Sequence, residues 1–199
     1  MRSIWTITSI ALLALIASST SYSQKALGYF KGEFIARFLS DGRNIQLETP
    51  FGYVDPNGLH WDVPVGAMSD GASVPQIFWT LYPPFTGQYR SGAMVHDYYC
   101  QVRTRSWRDT HKVFYNAMLT AGVTERSAKV MYGAVYYFGP RWGIGAQSRG
   151  PGTERGLTLD DQARFVKNLD AWVDLQQPTI QQIEDRLEGG AEFEKGPQK

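Results

Sequence analysis

Polar and apolar residues alternate in the first half of the chain and recur at helical spacing in the second. Residues 29–38, Tyr29-Phe30-Lys31-Gly32-Glu33-Phe34-Ile35-Ala36-Arg37-Phe38, mix alternation with aromatic and β-branched side chains, the pattern of half-buried β structure. Asn44–Glu48 alternates cleanly. Phe51–Val54 and Leu59–Val63 flank Asp55-Pro56-Asn57-Gly58, whose residues favour a turn, so this segment predicts a hairpin. The later period is helical. A helix around Tyr89–Val102 carries Val95, Tyr98, Tyr99 and Val102 on one stripe. A second, starting near Ser106, carries Trp107, His111, Phe114 and Met118. A third runs over Thr124–Phe138 and is stopped by Gly139-Pro140. Leu159–Leu175 and Thr179–Leu187 predict two more amphipathic helices. Strands first and helices after predict an α+β fold: N-terminal antiparallel strands with a hairpin, a bundle of about three helices, then C-terminal helices.

The ends of the chain read differently. Residues 1–23 combine Arg2, an apolar run and a Ser21-Tyr22-Ser23 ending, which is the make-up of a secretory signal peptide. A spanning helix needs roughly 20 apolar residues, more than the run from Ile10 to Ala17 supplies. Export to the periplasm or outside the cell is therefore expected, with an uncleaved anchor as the alternative. No Cys lies near the junction, which argues against a lipoprotein. The expected organisation is a signal peptide over 1–23, a single α+β domain over 24–142, a Gly-rich loop with a C-terminal helical extension over 143–188, and a flexible tail over 189–199.

Composition narrows the class. The chain has 199 residues, 43% hydrophobic and 20% charged, which suits a globular domain and leaves little room for long disorder or several membrane spans. Twenty basic and nineteen acidic residues give a net charge of +1, so nucleic acid is not an expected partner on overall charge. The charge is unevenly placed. Residues 101–150 hold eight basic and two acidic groups, net +6, and residues 151–199 hold six and ten, net −4. A basic middle suits anionic lipid or phosphate, or an acidic neighbour within the fold. The single cysteine, Cys100, cannot form an intramolecular disulfide. It reads as a small buried hydrophobe, a free thiol or a dimer bridge.

The candidate chemistry lies in Val95-His96-Asp97-Tyr98-Tyr99-Cys100. Adjacent helical residues point about 100° apart, so His96 and Asp97 are expected to serve one cavity from two directions rather than pair. Asp109, near the start of the next helix, is expected to approach His96 if the two helices are antiparallel. A histidine oriented by a carboxylate is a general base for water, and a neighbouring carboxylate can hold a hard cation. His96 and Asp109 are thus the candidate catalytic pair, and Asp97 a candidate metal ligand. The loop Gly66–Pro75 adds Asp70 as a second candidate metal ligand. Structural alternatives stand beside each role. Ser106-Trp107-Arg108-Asp109 matches a capping box, Asp97 can pair with Arg103 or Arg105, and His96 can be a satisfied core histidine. His111 reads as packing and His60 as solvent-facing. The aromatic run Ile77–Phe85 suits a core or a membrane interface.

Ser69-Asp70-Gly71-Ala72-Ser73-Val74-Pro75, Phe78-Trp79, Pro83-Pro84, Val95-His96-Asp97-Tyr98-Tyr99, Asp109 and Phe114-Tyr115 resemble the family called domain of unknown function 1353, found in bacteria and phages. The resemblance runs over roughly residues 28–142 and implies no established activity. A local similarity links the two central helices to secreted phospholipases A2. It implies His96 as base, Asp97 as calcium ligand and Asp109 as the orienting group. The sequence departs from that pattern in lacking a disulfide set, in having Cys100 where an aromatic residue belongs, and in its large β part. Two functions are therefore expected to compete. One is a metal-assisted His/Asp hydrolase, with calcium as cofactor, acting on membrane phospholipid. The other is a non-enzymatic envelope or phage-derived module that binds a cell-envelope component and uses His96-Asp97 as a structural polar cluster.

Overall fold

The computed structural model describes residues 27–42, 44–71, 87–143 and 158–189, and among these residues six short strands are followed by five helices. The predicted signal peptide at 1–23, the aromatic run at 77–85, and residues 144–157 and 190–199, where a Gly-rich loop and a tail are expected, lie outside the described residues. Strands β1 (Tyr29–Lys31), β4 (Phe51–Val54) and β5 (His60–Val63) form one antiparallel sheet in the order β1-β4-β5. Strands β2 (Ala36–Phe38), β3 (Ile45–Leu47) and β6 (Met68–Ser69) form a second in the order β2-β3-β6. The helices are α1 (Arg90–Val102), α2 (Trp107–Thr120), α3 (Glu125–Phe138), α4 (Leu159–Gln176) and α5 (Ile180–Glu188). The fold is α+β. Among the described residues no helix is long and apolar enough to cross a membrane.

The predicted run 29–38 divides between the two sheets. The chain turns at Gly32, whose φ of +78° suits glycine. A Cβ there would fall 2.4 Å from the Pro50 carbonyl oxygen. The 51–63 hairpin forms as expected. Its turn is held by the Asp55 carboxylate, which accepts from the amides of Asn57 (2.8 Å) and Leu59 (3.0 Å) and from Trp61 Nε1 (3.2 Å).

Two cores meet at the central helices. Between the sheets and the helices, Leu47, Tyr53, Trp61, Met94, Val95, Val113 and Ala117 are buried together. On the far side, Phe114 and Met118 of α2 join Met131, Tyr132, Tyr136 and Tyr137 of α3 with Phe165, Leu169, Val173, Ile183 and Leu187 of α4 and α5. Hydroxyl caps start α2 to α5. Ser106 and Thr124 accept amides at N3, and Thr158 and Thr179 complete reciprocal capping boxes with Asp161 and Gln182. The basic middle meets the acidic C-terminal helices: Arg126 bonds Asp170 at 2.9 Å and Asp174 at 2.5 Å, and Arg108 bonds Glu188. These pairs are largely solvated and each is worth little.

Candidate functional site

Helices α1 and α2 are joined by a short turn after Arg103, which takes a left-handed conformation at φ 52°. They run antiparallel in close contact. A Cβ on Gly92 would lie 3.2 Å from Ala117 Cβ, and lower down His96 faces His111. Residues equidistant from the turn meet across the pair, which is why 96 finds 111.

The result is a buried polar chain. The Gly71 amide donates to Ser69 Oγ (3.1 Å), and Ser69 Oγ donates to Asp97 Oδ2 (2.6 Å). Asp97 Oδ1 lies 3.2 Å from His96 Nδ1, and His96 Nε2 lies 2.9 Å from His111 Nδ1. Cys100, one turn along α1, places Sγ 3.4 Å from His96 Nε2 and 3.9 Å from Nδ1. His96 and His111 are fully buried and Asp97 is 4% exposed. His111 Nε2 is buried without a hydrogen bond of normal geometry, although the nearby Pro140 backbone weakly favours a proton there.

Electrostatics assign the protons. Burial opposes charge on His96, but negative charge on the Cys100 sulfur and the Asp97 carboxylate outweigh it, so its pKa is raised to about 10. Burial, then the charges on His96 and Arg141, hold His111 well below the ordinary histidine value. The network is therefore a charged His96 donating to Asp97 and to a neutral His111.

Cys100, Asp97, Ser69 and Asp70 line one cleft of about 300 Å³, together with Asn44, Met68, Gln101, Arg103 and Pro140. Two larger cavities, about 590 and 600 Å³, lie against the β1-β4-β5 sheet, away from this cluster.

The predicted site residues are thus partly brought together. His96 and Asp97 do pair, contrary to the expectation from their 100° separation. Ser69 fixes the carboxylate from the far side and leaves its other oxygen over the near edge of the ring. Asp109 takes neither nitrogen of His96. It is exposed, and it bonds Ser106 through its amide (3.1 Å) and its carboxylate (2.6 Å). Asp109 and His111 are two residues apart, about 200° around the helix, so only one of them can face α1. Asp70 is half-buried in the cleft wall. His60 is exposed, with Lys31 Nζ 3.3 Å from its Nδ1. Sequence reasoning missed the roles of His111, Cys100 and Ser69. The i, i+4 spacing of His96 and Cys100 was a legible signal, since such residues share a helix face.

Among the described residues, His96, Cys100 and His111 are the group whose donor atoms converge closely enough for a metal, all within 4.8 Å of one another. Nitrogen and sulfur donors do not make a calcium site, which takes oxygen ligands.

Residues 45–135 match a family model described as protein of unknown function (DUF1353). Two curated relatives come from Sinorhizobium fredii (strain NBRC 101917 / NGR234). Uncharacterized protein y4iH is 39% identical over 142 residues, 66% of this chain and 58% of the relative. Uncharacterized protein y4jT is 46% identical over 98 residues, 49% of this chain and 29% of the relative. The chain therefore spans less than two thirds of either. No solved structure matches it. The match to the DUF1353 model covers just under half of the chain, and the family that it describes is one of unknown function.

Proposed function

We propose that the chain is an exported hydrolase of acyl esters in which Cys100 is the nucleophile, His96 its proton partner and Asp97 the group that orients His96. One observation carries this reading. Cys100 borders the cleft with its sulfur 3.4 Å from His96 Nε2, while the other ring nitrogen is held by a carboxylate. His96 itself has no exposed surface, so it reaches a substrate through the thiol rather than by activating a cleft water. In the first half-reaction the thiolate attacks the ester carbonyl. A C–S bond forms, the C–O bond to the alcohol breaks, and the proton on His96 goes to the departing alkoxide. In the second, water adds to the thioester, His96 takes a proton, and carboxylic acid leaves with the thiolate restored.

Phospholipid acyl esters are the favoured substrate class. Met68, 45% exposed, borders the cleft beside Arg103, and Phe38, 65% exposed, sits on the outer strand of the same small sheet. An apolar rim with a cation suits an anionic lipid surface. The alternative is a non-enzymatic envelope-binding module, favoured by the complete burial of His96.

The test is fatty-acid release from mixed phospholipid vesicles by the full chain, with calcium and with chelator. Wild type is expected to release acid in both conditions, and folded Cys100→Ala to lose at least about a thousandfold of that rate. Calcium-dependent release that survives Cys100→Ala contradicts the thiol and returns Asp97 and Asp70 to the role of cation ligands. No release from folded wild type leaves the binding module, under which His96→Ala lowers stability by about 1–3 kcal/mol with no activity to lose.

A further inference from the structure

The three donors that converge at the α1–α2 contact have the chemistry and spacing of a transition-metal site. Zinc binds histidine nitrogen at about 2.0–2.1 Å and thiolate sulfur at about 2.3 Å. A tetrahedron with those bonds has edges of about 3.3 Å between nitrogens and about 3.6 Å from nitrogen to sulfur. His96 Nε2 and His111 Nδ1 stand 2.9 Å apart, and Cys100 Sγ stands 3.4 Å from His96 Nε2. Those two edges need a few tenths of an ångström of spreading, and all three donor atoms already lie within 4.8 Å of one another.

The surroundings fit the same use. The nitrogen of His96 that would not bind metal is held by Asp97, and Asp97 by Ser69. Such a carboxylate on a ligating histidine fixes its tautomer and orientation. Two histidines and one thiolate are borderline-to-soft ligands that select zinc, cobalt or copper over calcium and magnesium. A set of three leaves a coordination position open.

We propose that His96 Nε2, His111 Nδ1 and Cys100 Sγ bind a divalent transition-metal ion, of which Zn²⁺ is the expected physiological occupant. Binding in itself is independent of hydrolysis. If the thiol reading also holds, on which this one clause rests, a bound ion occupies the nucleophile and switches the enzyme off.

The test is titration of the reduced, chelator-stripped full chain with Co²⁺. Wild type is expected to take up one ion with the intense visible bands of tetrahedral cobalt and a near-ultraviolet thiolate-to-metal band. Cys100→Ser, at a half-buried cleft position, is expected to fold and lose the thiolate band. His111→Gln is expected to weaken binding by at least about tenfold, with circular dichroism confirming its fold. Zn²⁺ is expected to displace the cobalt and to protect Cys100 from alkylation. A folded wild type with no tetrahedral spectrum overturns the proposal, and so does a spectrum unchanged in Cys100→Ser. The readout uses no turnover, so an inactive protein that binds cobalt in this way refutes only the hydrolase reading.

Discussion

Asp97→Ala is expected to lower the stability of the metal-free protein by about 3–5 kcal/mol, read from denaturant midpoints at neutral pH. The carboxylate is 4% exposed and serves two buried partners, accepting from Ser69 Oγ at 2.6 Å and from His96 Nδ1 at 3.2 Å. Its removal strands a buried cation and a buried hydroxyl together. The loss depends on pH with a definite sign. The pKa of His96 is raised in the fold to about 10, from an ordinary value near 6.5. A raised pKa means that the stabilisation is fully present below about pH 6.5 and fades as pH rises towards 10. The deficit of Asp97→Ala is therefore expected to shrink over that window. A deficit below about 1 kcal/mol, or one that grows with pH over it, contradicts a charged His96.

Phe165→Ala is expected to cost about 3–5 kcal/mol and to lower the unfolding midpoint of the whole protein in one transition. Phe165 is fully buried, stacked on Tyr137 at 4.4 Å between ring centres and edge-on to Phe138 at 4.9 Å. These rings join α4 to α3. With Leu169, Ile183 and Leu187 they form the same apolar cluster as Phe114 and Met118 of α2. If α4 and α5 were a loosely docked addition, the variant would release them while the rest of the protein unfolded at its original midpoint. Two separate transitions would sink the claim of a shared core.

Much of the fold was legible in residue patterns. The helices lie within a residue or so of the periodic segments, because each has an apolar stripe and, for all but α1, a hydroxyl cap marks the start. The 51–63 hairpin was legible because Asp55 and Gly58 carry turn chemistry that local sequence fully contains. The division of residues 29–38 was not, since it depends on Gly32 packing against Pro50, a contact made only once β4 is in place. Strand β6 was missed because two residues carry no period.

The site was half legible. His96 and Asp97 were visible as a polar pair on an otherwise apolar helix. Asp109 is expected near His96 from its place at the start of an antiparallel α2, but its angle around that helix turns it to solvent and to Ser106. His111 was set aside because it lies on the apolar stripe. That same stripe faces α1, so the argument for packing was also the argument for contact with His96. Ser69 was obscured by distance along the chain, as it reaches Asp97 only through the pairing of β6 with β3.

The thiol is the centre of the proposed activity, and an acyl adduct would expose it. Metal-free protein is mixed briefly with an activated acyl ester, quenched in acid and weighed intact. Wild type is predicted to gain one acyl group, mapped to Cys100. The adduct is predicted to be absent in Cys100→Ala and to form far more slowly in folded His96→Gln. Ester turnover by a protein whose mass never changes, or an acyl group that still appears in Cys100→Ala, would contradict the account.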